Sequence, residues 1–214
     1  MTDRTKKPHP LSDEAITHLR KVDKKLGKLI DRVGPYALEK SQSKTTFEAL
    51  VRSIVFQQLN GKAASTILGR VIDAVGGTLT AEAVDATSDA KLRAAGLSRG
   101  KLASIRDLTT RTLAGEIPTI AKMRRMENEA ILEALTQVRG IGRWTVEMLL
   151  MFRLDRHDVL PVSDFGVRKG FMIAFGLEEM PTLDHVSAHG EKWAPHRTAA
   201  SWFLWRATEL PAKK

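Results

Sequence analysis

The sequence predicts an all-α protein of about ten helices, and three observations carry that prediction. Apolar residues recur at three- and four-residue spacing along nearly every segment. No segment sustains period-two alternation, and the lone Asn-Gly dipeptide, in "LNGK" (59–62), leads into an Ala-rich helical run rather than a second strand. Ser, Thr and Asp stand before these runs and Gly or Pro after them, at helix-length intervals.

Taken in order, "LSDEAITHLRKVDKKLGKLIDRVG" (11–34) has Ser12 in N-cap position with acids behind it. Its apolar residues Ile16, Leu19, Val22, Leu26, Leu29, Ile30 and Val33 keep helical spacing, so it reads as one helix ending at Gly34-Pro35. "TFEALVRSIVFQQ" (46–58) reads as a buried helix, and "KAASTILGRVIDAVGG" (62–77) as another stopped by Gly76-Gly77. "SDAKLRAAG" (88–96) carries a Ser88 cap and a Gly96 stop. "SRGKLASIRDLTTRTLAGE" (98–116) is a basic amphipathic helix ending near Gly115. "ENEAILEALTQV" (127–138), "VEMLLMFRL" (146–154), "DFGVRKGFMIAF" (164–175), "TLDHVSAHGE" (182–191) and "HRTAASWFLWRATEL" (196–210) complete the series. No long linker, internal repeat or low-complexity tract interrupts them. The chain therefore reads as one compact unit, with residues 1–10, polar and Pro-rich, as a loose tail.

The 214 residues hold 34 Lys+Arg against 25 Asp+Glu, a formal charge of +9, which suits a polyanionic partner such as nucleic acid. Cysteine is absent, which excludes disulfides, thiolate nucleophiles, cysteine-based zinc fingers and iron–sulfur clusters. A chain without disulfides is compatible with the cytoplasm. No run approaches the ~18 apolar residues of a membrane span, and the first residues lack the apolar centre of a secretory signal.

"QVRGIGRWTVEML" (137–149) is the most informative stretch. Glycines two apart let the chain reverse tightly and bring backbone amides within reach of a ligand. A helix starting at about Gly142 adds its free N–H groups and dipole at the same place. The product is either a Gly-containing turn between core helices or a cradle for one DNA phosphate, with Arg139 and Arg143 beside it adding attraction. Some twenty residues on, "LPVSDFGVRKGF" (160–171) places Ser163 or Asp164 at a helix start. Asp164 is there either a cap alone or a carboxylate able to stabilise a developing cation or orient a water.

The Val-Arg-Gly-Ile-Gly-Arg-Trp-Thr turn, the apolar helix behind it and the Pro-x-x-Asp that follows resemble the helix-hairpin-helix DNA glycosylases. More narrowly they resemble the 3-methyladenine DNA glycosylase II type. "VFQQLNGKAASTI" (55–67) is similar to that family's DNA-inserting segment, and "KWAPHRTAASWFLW" (192–205) to its C-terminal helix. The similarity runs from about His18 to the C-terminus. The resemblance implies a two-lobed fold, roughly residues 45–150 as one lobe and 11–40 plus 155–214 as the other, with the cleft between them. It also implies a compact version, without the extra N-terminal β-rich domain of fuller bacterial forms.

The resemblance further assigns residues. Asp164 is the catalytic carboxylate. Backbone amides of Gly140, Gly142 and Thr145 grip a phosphate near the lesion, with Arg143 beside them. Carbonyls of Thr136, Val138 and Ile141 hold a structural sodium or potassium ion; no cofactor takes part in the chemistry. Gln58, Leu59 and Asn60 form the wedge, with Leu59 the apolar plug unless it is simply a core leucine at a helix end. Trp144, Met148, Phe165 and His196 line the base pocket, although Trp144 also reads as a core residue and His196 as a surface one. His196 stands where the family commonly has tryptophan, and Phe165 and Met148 where tyrosines occur. Bifunctional relatives carry a lysine where this chain has Trp144, so no strand-nicking lyase activity is implied. The remaining basic residues, Arg99, Lys101, Arg106, Arg168 and Lys169, read as solvated faces with one or two phosphate contacts among them.

The implied function is a monofunctional DNA glycosylase of base excision repair, removing alkylated purines of the 3-methyladenine and 7-methylguanine type after base flipping. Its partner is double-stranded DNA, in a bacterial nucleoid or a nucleus, and it acts as a monomer. A glycosylase for another base (ethenoadenine, hypoxanthine or uracil) and a damaged-DNA-binding module without chemistry are the alternatives.

Overall fold

The computed structural model describes residues 12–211, so the expected loose tail (1–10) lies outside the described residues. The described residues hold thirteen α-helices, one short 3₁₀ turn at Glu191–Trp193, and no strand. The all-α expectation is borne out. The helices are α1 (Ser12–Val22), α2 (Lys24–Val33), α3 (Thr46–Phe56), α4 (Gly61–Ala74), α5 (Ala81–Asp85), α6 (Asp89–Ala94) and α7 (Arg99–Leu113). They continue with α8 (Ile120–Met123), α9 (Asn128–Thr136), α10 (Arg143–Phe152), α11 (Phe165–Phe175), α12 (Leu183–Gly190) and α13 (Arg197–Ala207).

The higher count has physical causes. The expected first helix breaks in two at Asp23, whose extended backbone (φ −145°, ψ 99°) caps α2. Its carboxylate accepts the amides of Lys25 and Leu26, both at 3.1 Å, and so outcompetes a continuous ladder. Among the described residues α1 runs from Ser12. α5 and α8 are too short to show a period in the sequence; each is announced only by a threonine cap, Thr80 and Thr119.

The chain divides into two compact units, one running to Lys40 and resuming at Asp155, the other spanning Ser41–Leu154. In the first, α11 packs along α13, and α2 packs on both. Close approach is possible because Gly170 has no side chain: a Cβ there would lie 1.8 Å from the Leu204 carbonyl oxygen. The core holds Leu19, Leu26, Phe171, Trp193, Phe203 and Leu204, all at most 1% exposed. In the second unit, α7 packs against α3 and α5, and α9 against α10, around buried Leu50, Ile54, Ile105, Leu108, Leu135 and Val146. Arg106 ties this unit together through Asp89 and the carbonyls of Val84 and Thr87, and so is internal rather than a solvated charge.

Candidate active site

α9 ends at Thr136, and the turn that follows is anchored by two buried side chains, Val138 and Ile141. The Ile141 amide donates to the Val138 carbonyl at 3.0 Å. Gly140 sits at φ +76°, and a Cβ on it would meet Ser104 Oγ at 2.5 Å, so both backbone angle and space require glycine. Gly142 is the N-cap of α10, with no side chain capping the helix. The amides of Gly140 and Gly142 have no hydrogen-bond acceptor among the described residues, and both residues are exposed. The turn is thus an open helix N-terminus with two free donors, the arrangement an anion needs.

Two expected members of this cradle are placed differently. The Thr145 amide already donates to the Gly142 carbonyl at 3.0 Å, and Thr145 is buried. The Arg143 side chain, exposed as it is, pairs with Glu129 at 3.0 Å and Glu147 at 3.1 Å. The hydrogen bond it donates to Glu129, with support from Glu147, raises the Arg143 guanidinium above its ordinary value. Two carboxylates therefore offset much of its attraction for a phosphate. Arg139 donates its amide to Asp107 at 2.8 Å, which ties the turn to α7.

The loop between α3 and α4 lies in the same unit. Gln58 takes a left-handed backbone (φ +57°), Leu59 is 39% exposed, and Asn60 caps α4 by accepting the Ala63 amide at 2.9 Å. Leu59 is therefore a surface leucine, not a core one. Gln57, which sequence reasoning passed over, donates from Nε2 to the Gly140 carbonyl at 2.9 Å. Lys101 donates from Nζ to the Val55 carbonyl at 2.7 Å, which explains a residue otherwise read as a solvated charge; burial lowers its pKa. On α10, Trp144 is 43% exposed and Met148 is half-buried. A tryptophan this exposed is not a core residue.

In the other unit, Asp164 caps α11. Its Oδ1 accepts the Val167 amide and Trp205 Nε1, both at 2.7 Å. Trp205 lies 41 residues from Asp164, a separation no periodicity reveals. Gly166 makes room for this pairing, since a Cβ there would lie 2.8 Å from Trp205 Cδ1. Phe165 is 70% exposed. His196 lies directly before α13, half-buried, edge-on to His18 with ring centroids 5.2 Å apart. Burial first, then neighbouring His18, holds His196 below the ordinary histidine range, so the ring is neutral at pH 7. Trp205 lies nine positions after His196, about 13 Å of helix rise. Arg168 is committed to the Pro181 carbonyl at 2.8 and 3.0 Å.

The structure thus joins the wedge loop to the hairpin through Gln57, and Asp164 to α13 through Trp205. Gln58, Leu59, Asn60, the hairpin residues, Trp144 and Met148 belong to the Ser41–Leu154 unit; Asp164, Phe165 and His196 belong to the other. Among the described residues no cluster of His, Asp or Glu side chains could hold a metal ion, and no helix is long and apolar enough to cross a membrane.

Comparison with known proteins places these features in a family. Residues 51–196 match the description "HhH-GPD superfamily base excision DNA repair protein". The chain is 40% identical to DNA-3-methyladenine glycosylase 1 of Schizosaccharomyces pombe over 200 residues, 92% of this chain and 88% of that protein. The structure of S. pombe 3-methyladenine DNA glycosylase Mag1 in complex with abasic DNA superposes with a TM-score of 0.84 at 39% identity, covering 92% of this chain and 97% of that one. A DNA-3-methyladenine glycosidase from Bacillus halodurans superposes with a TM-score of 0.85 at 35% identity, covering 94% and 92%. With a matched span that contains both the Gly-Ile-Gly hairpin and Asp164, the chain belongs to the HhH-GPD superfamily of base excision DNA repair proteins.

Proposed function

We propose that this protein is a monofunctional DNA glycosylase of base excision repair that hydrolyses the N-glycosidic bond of alkylated purines. The observation that carries the proposal is the Asp164 carboxylate, oriented by two 2.7 Å hydrogen bonds at the start of α11. Its oxygens are held in place before any reaction begins, which is what electrostatic stabilisation of a developing charge requires.

Each step has its residues. The amides of Gly140 and Gly142 bind a phosphate beside the lesion. The damaged nucleotide turns out of the stack, at a cost of about a few kcal/mol, and Leu59 fills the gap. As the C1′–N bond breaks, its electron pair leaves with the base and positive charge builds on the sugar. Asp164 stabilises that charge and orients the water whose oxygen bonds to C1′ and whose proton is released. A 3- or 7-alkylpurine is already cationic, so it departs as a neutral base and needs no general acid. Trp144, an exposed ring, offers its face to such a cation. With Trp144 in place of a lysine, no Schiff base forms and the strand is not nicked.

Carbonyls of Thr136, Val138 and Ile141 are the proposed holders of a monovalent cation, sodium or potassium. The donor set fits: it is neutral oxygen without a carboxylate, and the Val138 carbonyl, bonded once to Ile141, keeps a second lone pair. Such an ion supplies positive charge beside the phosphate. The protein acts as a monomer on double-stranded DNA, in a nucleoid or a nucleus.

The test is base release from duplexes carrying 3-methyladenine, 7-methylguanine, ethenoadenine, hypoxanthine or uracil, followed by hot alkali. Strand breaks are expected only after alkali and chiefly with the alkylated purines. Asp164→Asn should abolish release while the variant still binds DNA. Full release by that variant would remove Asp164 from the chemistry, and binding without release by the wild type would leave a damaged-DNA-binding module. The replacement of common pocket aromatics by Met148, Phe165 and His196 favours, as the second reading, a glycosylase for another damaged base; the same panel of lesions distinguishes it.

A further inference from the structure

We propose that Gln57 is a positioning residue that locks the plug loop to the hairpin, so that Leu59 enters the DNA stack in fixed register with the phosphate grip. This rests on the glycosylase reading above. The link is a single hydrogen bond, from Gln57 Nε2 to the Gly140 carbonyl at 2.9 Å. A carbonyl only accepts, so the glutamine must present its NH₂ group, and an ionised glutamate cannot replace it. The acceptor sits in a constrained turn: Gly140 has a left-handed backbone, and Ser104 Oγ occupies the space a Cβ there would need.

The loop that follows is restrained at both ends. Lys101 holds the Val55 carbonyl in the last turn of α3, and Asn60 caps the first turn of α4. Between them Gln58 adopts φ +57°, a conformation a non-glycine residue keeps only where its surroundings impose it. Leu59 is thereby presented at the surface by a stiff loop rather than folded onto the core.

Register is the physical reason for such a tether. Successive phosphates along one strand are about 3.4 Å apart along the axis, so a plug free to shift by that distance would part the wrong base step. Fixing the loop to Gly140 ties the plug to the phosphate held at the same turn. Gln57 touches no reacting atom in this scheme. It acts through Leu59, at the stage where the base is parted from its partner.

The experiment compares wild type with Gln57→Met, which keeps the size and removes the donor, and with Gln57→Glu. Single-turnover release of 7-methylguanine is measured from a duplex with cytosine opposite, and from the same duplex with an abasic-site analogue opposite, where flipping costs less. Both variants should lose about tenfold or more on the paired duplex and less than about threefold on the other, because the loss falls on extrusion. Affinity for undamaged duplex should stay within about twofold, since phosphate contacts dominate it. Leu59→Ala should show the same split. Equal loss on the two substrates, with or without a lowered melting temperature, would make Gln57 merely structural, and no loss on the paired duplex would dismiss the tether. A wild-type protein that releases no base from either duplex would instead overturn the glycosylase reading.

Discussion

At the scale of single residues, the least replaceable feature is the setting of Asp164. Its Oδ1 serves two donors at once, the Val167 amide that makes it a helix cap and the Trp205 indole that fixes its rotamer. Cap and candidate catalyst are therefore one residue in two roles. Trp205→Phe keeps the bulk and removes one donor. A hydrogen bond to a charged group is worth about 1.5–3 kcal/mol, so a slower chemical step is expected, about tenfold or more, with KM little changed and the fold intact. Single-turnover rates and a melting curve check this; an unchanged rate would mean the indole only packs.

At the scale of elements, the break between α1 and α2 shows how one polar side chain redirects a helix. Asp23 is 4% exposed, and its Oδ2 accepts from His189 at 2.8 Å, Trp193 Nε1 at 3.0 Å and Lys192 at 3.2 Å, while Oδ1 takes the two amides of the cap. Burial alone would raise its pKa, but the Leu26 amide, His189, Trp193 and Lys192 together hold it below the ordinary carboxylate value. A depressed folded-state pKa contributes stability above the unfolded value, near 4, which is lost as pH falls through the folded one. Asp23→Asn should therefore cost about 3 kcal/mol at pH 7, as breaking a buried charged network does. It should also flatten the loss of stability on acidification below about pH 4. Denaturant melts at pH 7 and pH 3 measure both; an equal acid sensitivity in the variant would mean another carboxylate dominates.

For the molecule as a whole, the +9 charge bears on affinity rather than on fold. Several of the basic side chains are engaged within the protein: Lys101, Arg106, Arg143 and Arg168 all serve partners there. On the proposed function, backbone amides and the remaining surface lysines and arginines meet the phosphates. Binding to undamaged duplex should still weaken with salt, with a log–log slope of about −3.6 if four phosphates are neutralised. A titration by fluorescence anisotropy between low and moderate salt measures it, and a slope near zero would rule out phosphate contacts as the source of affinity.

Helix class, most helix ends and the Gly-Ile-Gly turn were legible in the sequence by itself, because they depend on local periodicity, caps and glycine's backbone freedom. Asp164 was legible for the same reason, at a helix start, whereas Leu59 was picked out only by the resemblance of its segment to the family's DNA-inserting one. The Asp23 break was not legible: the apolar spacing of α1 runs on into α2, and only donors from α12 and the turn after it, some 170 residues away, make a buried carboxylate tenable there. The partners of Asp164, of Gly140 and of the basic side chains were likewise decided by tertiary structure. Local rules say which residues can form a hydrogen bond, but packing decides which of those groups actually meet.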